Sequence, residues 1–168
     1  EALLVSAKRA LKLKRYDSAL EMYDTLYDKN PRDHRILMGR AVAQQNAGRP
    51  ESAIRSYEEL LDLDPKNTDA MLNMLGLLRS QYPSVALRRL MELHKKYPDH
   101  AGITAQIGVT QADLGHTDDA MRYLGMAASL EPQNAQHMFN MAIIADRDGN
   151  VPQAIKYYEQ ALELDAIY

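Results

Sequence analysis

A repeating pattern with a period of 33 or 34 residues constrains the fold of this chain more than any other feature of its sequence. Alanine and proline both follow this period, each in its own phase. The alanines are Ala19, Ala53, Ala86, Ala120 and Ala154, and the prolines are Pro31, Pro65, Pro98 and Pro132. Self-similarity at a fixed period is typical of arrays in which each repeat packs against its neighbours. The sequence therefore predicts a stack of about five similar units.

Each unit predicts two helices, as the second unit illustrates. Apolar residues there recur at helical spacing and form one stripe, while charged residues cover the opposite side. A glycine that permits positive φ precedes the helix, and a proline suits its first turn. The stripe consists of Ala53, Ile54, Tyr57, Leu60 and Leu61, the glycine is Gly48, and the proline is Pro50.

The repeat register predicts ten helices in five pairs. Their predicted ranges are 2–14 and 17–29, 33–47 and 50–62, 67–81 and 83–96, 100–114 and 118–130, and 134–148 and 151–164. The third unit is one residue shorter than the others, and we place this deletion in the turn between its two helices. The first helix of the fourth unit is poor in strong helix formers, so we expect loose packing or space for a ligand there.

Composition narrows the class of protein. At 168 residues and 46% hydrophobic content, the chain is long enough for a continuous core. It has no cysteine, which excludes disulfides and is compatible with either the cytoplasm or the periplasm. No apolar run approaches the roughly 20 residues that span a bilayer. Because the sequence starts at Glu1 and its last helix has no following polar cap, we expect a fragment of a longer protein.

The charge is unevenly distributed. Residues 1–50 hold ten Lys and Arg against six Asp and Glu, whereas residues 51–168 hold ten against seventeen. This balance argues against nucleic acid as the main ligand, since duplex binding needs a continuous basic face. Lys8, Lys12 and Arg15 share one helix face. That face is interpreted either as a solvated surface or as a contact for an acidic ligand.

No residues in the sequence form a recognised catalytic or metal-binding pattern. The five histidines do not pair at metal-ligand spacing, and we interpret them as surface or boundary residues; they are His34, His94, His100, His116 and His137. The glycines recur with the repeat period rather than in a phosphate-binding loop. We therefore expect no enzyme activity, no metal and no cofactor. Met71, Met74, Met138 and Met141 have core spacing, so core filling is favoured over an adaptable binding surface.

With glycine, alanine, an aromatic residue and proline at these intervals, the chain resembles the tetratricopeptide repeat family over nearly its whole length. The five units correspond to residues 1–30, 31–64, 65–97, 98–131 and 132–168. Two departures stand out. The family's tryptophan near the start of the first helix is absent from every unit, and Lys14 stands where three other units have glycine.

The resemblance implies an all-α, right-handed superhelical α-solenoid whose first helices line a concave groove. It also implies a non-enzymatic scaffold, such as an assembly or adaptor factor, that binds a peptide or helix of a protein partner. The groove-facing residues implied by the family register are Leu4, Lys8, Lys12, Met38, Val42, Asn46, Leu72, Arg79, Val109, Phe139 and Ile143.

Two alternatives to this function remain open at this stage. The array could associate with itself through its uncovered ends, or it could be an accessory or regulatory module of a larger enzyme. A third idea is disfavoured. Some members of the family clamp a terminal carboxylate, but at the matching positions only Lys8 could serve that role.

Overall fold

The computed structural model describes residues 1–167 and contains ten α-helices and no strand within that range. The helices are α1 (Ala2–Lys12), α2 (Tyr16–Lys29), α3 (His34–Asn46), α4 (Pro50–Leu63), α5 (Thr68–Gln81), α6 (Pro83–Lys96), α7 (Ala101–Asp113), α8 (Thr117–Leu130), α9 (Ala135–Arg147) and α10 (Val151–Ile167). The all-α class and the pairing of helices are confirmed. The predicted boundaries agree to within a residue or two, apart from the end of α10, which extends three residues further. Tyr168 lies outside the described residues.

The chain divides into two compact units, which are larger than the five sequence repeats. The first unit consists of residues 1–77 and the second unit of residues 78–168, and the boundary between them falls within α5. In the first unit, α1 packs on α2, α2 on α3, and α3 on α4. In the second unit, α6 packs on α7, α7 on α8, α8 on α9, and α9 on α10. Because short turns join α1 to α2 and α3 to α4 in the first unit, and α7 to α8 and α9 to α10 in the second, these pairs run antiparallel.

Four of the turns between paired helices share one backbone arrangement. The central residue has a positive φ, which is 76° at Gly48, 83° at Gly115, 79° at Gly149 and 59° at Lys14. The following amide donates to a carbonyl five residues earlier, as Arg49 does to Gln44 at 2.9 Å. This pattern satisfies carbonyls that the end of a helix leaves unpaired. The third pair, with its deletion, instead bonds the Tyr82 amide to the Leu78 carbonyl at 2.7 Å.

Side-chain caps start several of the first helices. A carboxylate oxygen of Asp33 accepts from the amide of Arg35 at 2.9 Å, and the side-chain oxygen of Asn134 accepts from the amide of Gln136 at 3.0 Å. These caps satisfy amides that have no partner inside the helix. The residue before each period proline ends one repeat, and a polar residue two positions after the proline begins the next.

The alanines that mark the period are all buried, with four at 0% exposure and Ala154 at 2%. Burial in every repeat explains why a small side chain recurs at this position. The core of the first unit includes Tyr23, Leu20 and Leu4, and a cluster in the second unit contains Leu124 and Met141. Of the four methionines assigned to the core, Met74 and Met141 are buried, while Met71 and Met138 are half-buried.

The expectation of loose packing in α7 is wrong. Seven of its residues are buried, and Ile103, Thr104, Ile107 and Thr110 are at 0% exposure. Gly108 explains this, because a side-chain carbon there would lie 2.7 Å from the side chain of Leu124. The small residues that weaken helix propensity thus allow α8 to approach α7.

Candidate functional site

The first helices of neighbouring pairs contact each other within each unit. In the first unit α1 contacts α3, and in the second unit α7 contacts α9. The residues that the family register assigns to ligand binding lie on these four helices and on α5. We call the residues of that set that remain partly or fully exposed the first-helix face; each of the two units carries its own part of it.

In the first unit, the register places basic side chains and one core residue on α1. Lys8 and Lys12 are exposed, as the sequence predicted. Leu4 does not belong to the first-helix face, because it is only 4% exposed and packs in the core of the unit with Ala7 and Leu20. Its apolar side chain is needed to seal α1 against α2, so the assignment of Leu4 to a ligand surface is corrected.

The central part of the first-helix face in the first unit lies on α3. Met38 and Val42 are half-buried there, one helical turn apart. Asn46 is exposed, and its side-chain amide donates to the carbonyl of Val42 at 2.9 Å. On α5, Leu72 is also half-buried. This part of the face is thus mainly apolar and partly accessible to water.

In the second unit, the corresponding residues lie on α7 and α9. Ile143 is 40% exposed. Val109 is half-buried against the apolar cluster that contains Leu124 and Met141. Phe139 is half-buried, its ring centroid lies 6.5 Å from that of Tyr158, and it borders a shallow cavity of about 340 Å³ near the end of α10. Ile143 is therefore the most accessible apolar residue of this part of the face.

Arg79 is held by an ion pair within the second unit. Its guanidinium lies 3.2 Å from the carboxylate of Asp113, and both side chains are about one-third exposed. An acidic ligand would have to compete with Asp113 for this arginine. Lys8 and Lys12 are consequently the freer cations among the residues predicted from the sequence.

The sequence-based interpretation of the histidines missed one buried histidine that bonds to an exposed carboxylate. His137 is 4% exposed, which corrects its assignment as a surface or boundary residue. Its Nε2 donates to the carboxylate of Glu131 at 2.9 Å. This hydrogen bond lowers the pKa of Glu131, and a further hydrogen bond from the Asn134 amide adds to the effect. The Nδ1 of His137 has no partner among the described residues.

The described residues contain neither a metal-binding cluster nor a membrane-spanning helix. Within residues 1–167, no three His, Asp or Glu side chains come together in a way that could hold a metal ion. In the same part of the chain, no helix has the length and apolar character needed to cross a bilayer. The candidate site is therefore the partly apolar first-helix face.

Antiparallel helix pairs repeated every 33 or 34 residues define a helical-repeat protein. A tetratricopeptide repeat family model matches residues 4–68, 41–86 and 106–166. The chain therefore belongs to the tetratricopeptide repeat family.

Individual relatives support the same family. Tetratricopeptide repeat protein 8 of Caenorhabditis elegans is 24% identical over 146 residues, which cover 85% of this chain and 29% of that protein. Cellulose synthase operon protein C of Komagataeibacter sucrofermentans is 29% identical over 116 residues, covering 68% of this chain and 9% of that protein. This chain thus spans less than a third of the length of these curated relatives.

Among solved structures, a thermophilic tetratricopeptide repeat protein of Thermus thermophilus superposes with a TM-score of 0.80. The match covers 97% of this chain and 90% of that chain at 24% sequence identity. At this identity the likeness bears on the fold alone.

Proposed function

We propose that this chain is a non-catalytic interaction module that binds a peptide or helix of a protein partner along the first-helix face. Members of the tetratricopeptide repeat family generally mediate contacts between proteins. A role as an assembly or adaptor factor is part of this proposal.

The observation that carries the proposal is a shared register of apolar residues on the first helices. One position holds Met38 in α3 and Phe139 in α9, and the position one turn later holds Val42 and Ile143. None of these four residues is fully buried. Apolar side chains that recur on one face and remain accessible to water are typical of protein-binding surfaces.

The spacing of these residues suits a helical or extended ligand. Residues four apart on a helix present one continuous strip, and an amphipathic partner helix can lay its own apolar strip along it. Lys8 and Lys12, exposed on α1, would favour acidic residues at one end of such a ligand.

The test is to select ligands from a phage-displayed library of random 16-residue peptides on the full chain. Binding is then measured with Ile143→Glu and with the double variant Val42→Glu, Leu72→Glu. We expect each to weaken binding roughly tenfold or more, because a carboxylate is placed against an apolar contact. Met126→Glu is the matched control, since Met126 is 39% exposed but lies on the second helix α8. Unchanged binding by both first-helix variants, with helicity intact, would refute the proposal.

A second candidate function is self-association, and one feature of α10 favours it. Val151, Ile155 and Leu162 follow helical spacing along one face and are 52%, 51% and 60% exposed. Such an apolar strip favours contact with another helix. Light scattering over a wide concentration range should then show an oligomer that Ile155→Glu with Leu162→Glu converts to a monomer. A wild-type chain that is monomeric throughout would eliminate this candidate.

A further inference from the structure

The second helix of the third pair, α6, differs in charge from the other second helices. It carries four Lys and Arg and one Glu, a net charge of +3. In contrast, α2 and α4 each carry −3, α8 carries −1, and α10 carries −2. The net positive charge of α6 is therefore not a property of the repeat, although the position of Arg88 itself is basic in three of the four other second helices, as Arg55, Arg122 and Lys156.

Two positions of α6 depart most clearly from the pattern of the repeat. At the register position of Met91, the other second helices have Asp24, Glu58, Gly125 and Glu159. At the position of Lys95, they have Asp28, Asp62, Ser129 and Glu163. Since carboxylates occupy three of the four equivalents in both cases, the helix-pair fold does not require an apolar or a basic side chain there. The pattern of the repeat therefore does not account for Met91 and Lys95.

These residues line a groove within the second unit, which we call the α6 groove. It is a surface cavity of about 730 Å³ between one face of α6 and the turn from α7 to α8. Its apolar floor is half-buried and its basic rim is exposed. The floor consists of Leu87, Met91 and Leu114, and the rim includes Arg88, Lys95 and His116.

A side chain of α8 contacts the floor of the α6 groove. The hydroxyl of Tyr123 in α8 donates to the sulfur of Met91 at 3.7 Å. Met91 therefore keeps its position against α8 while part of its side chain faces the groove. Methionine adapts its shape to different apolar partners, which suits a binding surface.

The cations on the rim are free to contact a ligand. In residues 1–167, neither Arg88 nor Lys95 forms an ion pair with a carboxylate. By comparison, Arg122, the α8 equivalent of Arg88, pairs with Asp119 at 3.0 Å. Glu92 also borders the groove, so the rim is basic but not uniformly so.

We propose that the α6 groove is a second protein-binding site, separate from the first-helix face, and that it takes an acidic amphipathic segment of a partner protein. Apolar side chains of that segment pack on Leu87, Met91 and Leu114, and its carboxylates lie beside Arg88 and Lys95. Opposite charges at the rim set the orientation and raise the association rate, while the apolar floor supplies affinity.

A protein partner fits the α6 groove better than nucleic acid. Residues 78–168 hold eight Lys and Arg against eleven Asp and Glu, a net charge of −3. A phosphate backbone would meet net repulsion outside the rim, because its binding depends on many cations along one surface. An apolar floor also offers no contact that a phosphate chain can use.

The test is to select random 16-residue phage-displayed peptides on the full chain and on the double variant Arg88→Glu, Lys95→Glu. Both changes have precedents in the repeat, Glu21 and Glu163, so the variant is expected to fold. The matched control is Arg32→Glu, Lys66→Glu, which changes the net charge equally at exposed positions of the first unit. We call the Arg88→Glu, Lys95→Glu protein the rim variant. Peptides that the wild-type chain selects but the rim variant does not are synthesised, and their affinity for each protein is measured by fluorescence polarisation. Anionic vesicles of phosphatidylserine and a single-stranded 15-mer DNA are titrated in parallel.

We expect the lost peptides to be rich in Asp or Glu with Leu, Met or Phe at helical spacing. Their dissociation constants should rise about tenfold with the rim variant, remain unchanged with the control, and remain unchanged with Ile143→Glu. The last result separates this site from the first-helix face. The proposal is overturned if no acidic class of peptide is lost on the rim variant, or if only the vesicles or the DNA depend on Arg88 and Lys95.

Discussion

The ring of Tyr23 in α2 occupies the space that a side chain at Gly39 in α3 would need. This contact joins the second helix of one pair to the first helix of the next. A glycine inside a helix normally lowers stability by up to about 1 kcal/mol relative to alanine. Here its lack of a side chain allows an aromatic ring to pack directly on the backbone of α3.

The contact predicts opposite effects for alanine at two helical glycines. Gly39→Ala should destabilise the chain by about 1–2 kcal/mol, because displacing the Tyr23 ring costs more than the gain in helix propensity. Gly125→Ala in α8 should stabilise by up to about 1 kcal/mol, since nothing lies within 4 Å of the added carbon. Urea denaturation followed by circular dichroism measures both changes. Equal changes in the free energy of unfolding for the two substitutions would show that the Tyr23 contact does not contribute to stability.

A second prediction concerns the left-handed turn at Lys14. This lysine has a φ of 59°, in a region that strains residues with a side chain. Lys14→Gly should raise the free energy of unfolding by about 0.5–1 kcal/mol. The reverse change at an equivalent turn, Gly115→Ala, should lower it by about 1 kcal/mol. The added carbon there has no neighbour within 4 Å, so the cost comes from the backbone alone. A stabilising Gly115→Ala would contradict this account.

The pair formed by Glu131 and His137 predicts a pH dependence. The folded state lowers the pKa of Glu131, so the ionised Glu131 carboxylate stabilises the fold. This stabilisation is complete above the pKa that Glu131 has in the unfolded chain, about 4.3. It is lost as the pH falls through the lower folded-state pKa. Glu131→Gln should therefore reduce stability by about 0.5–1 kcal/mol at pH 6, a modest value because the Glu131 side chain is 48% exposed.

The pH profile is the decisive part of this test. The difference in unfolding free energy between wild type and Glu131→Gln should shrink between about pH 5 and pH 3, as measured by chemical denaturation at each pH. A difference that stays constant across this range would mean that the His137 contact does not favour the ionised carboxylate.

The repeat register could be read from the sequence because its marker residues have backbone roles. Gly48 adopts positive φ, Pro50 begins a helix, and Ala53 is fully buried. These requirements depend on residues a few positions apart. The order of helices and their boundaries were therefore predictable without knowledge of how the repeats pack against one another.

Features that depend on contacts in space were not predictable in this way. Gly108 suggested a loose helix, yet its small size allows Leu124 to pack against it. His137 stands where equivalent positions have Ile36 and Ile103, and only its proximity to Glu131 explains a buried histidine there. A comparison of the repeats with one another would have flagged His137 as an exception.

The candidate site was predictable in part. The family register located Val42 and Ile143, which retain partial exposure, but it also selected Leu4, which the core requires. The register fixes only the direction of a side chain on its helix. Its exposure depends on which residues pack beside it, and Leu4 packs with Ala7 and Leu20 in the core of the first unit.

Photo-crosslinking at single positions tests the central claim, peptide binding by the first-helix face, most directly. The photoreactive residue p-benzoylphenylalanine is placed at Ile143 or, as control, at Met126, which are 40% and 39% exposed. The probes are library-selected peptides that still bind the Arg88→Glu, Lys95→Glu variant. We predict covalent capture of these peptides from position 143 and little or none from position 126. Capture that is equal at both positions, or stronger at 126, would contradict the account.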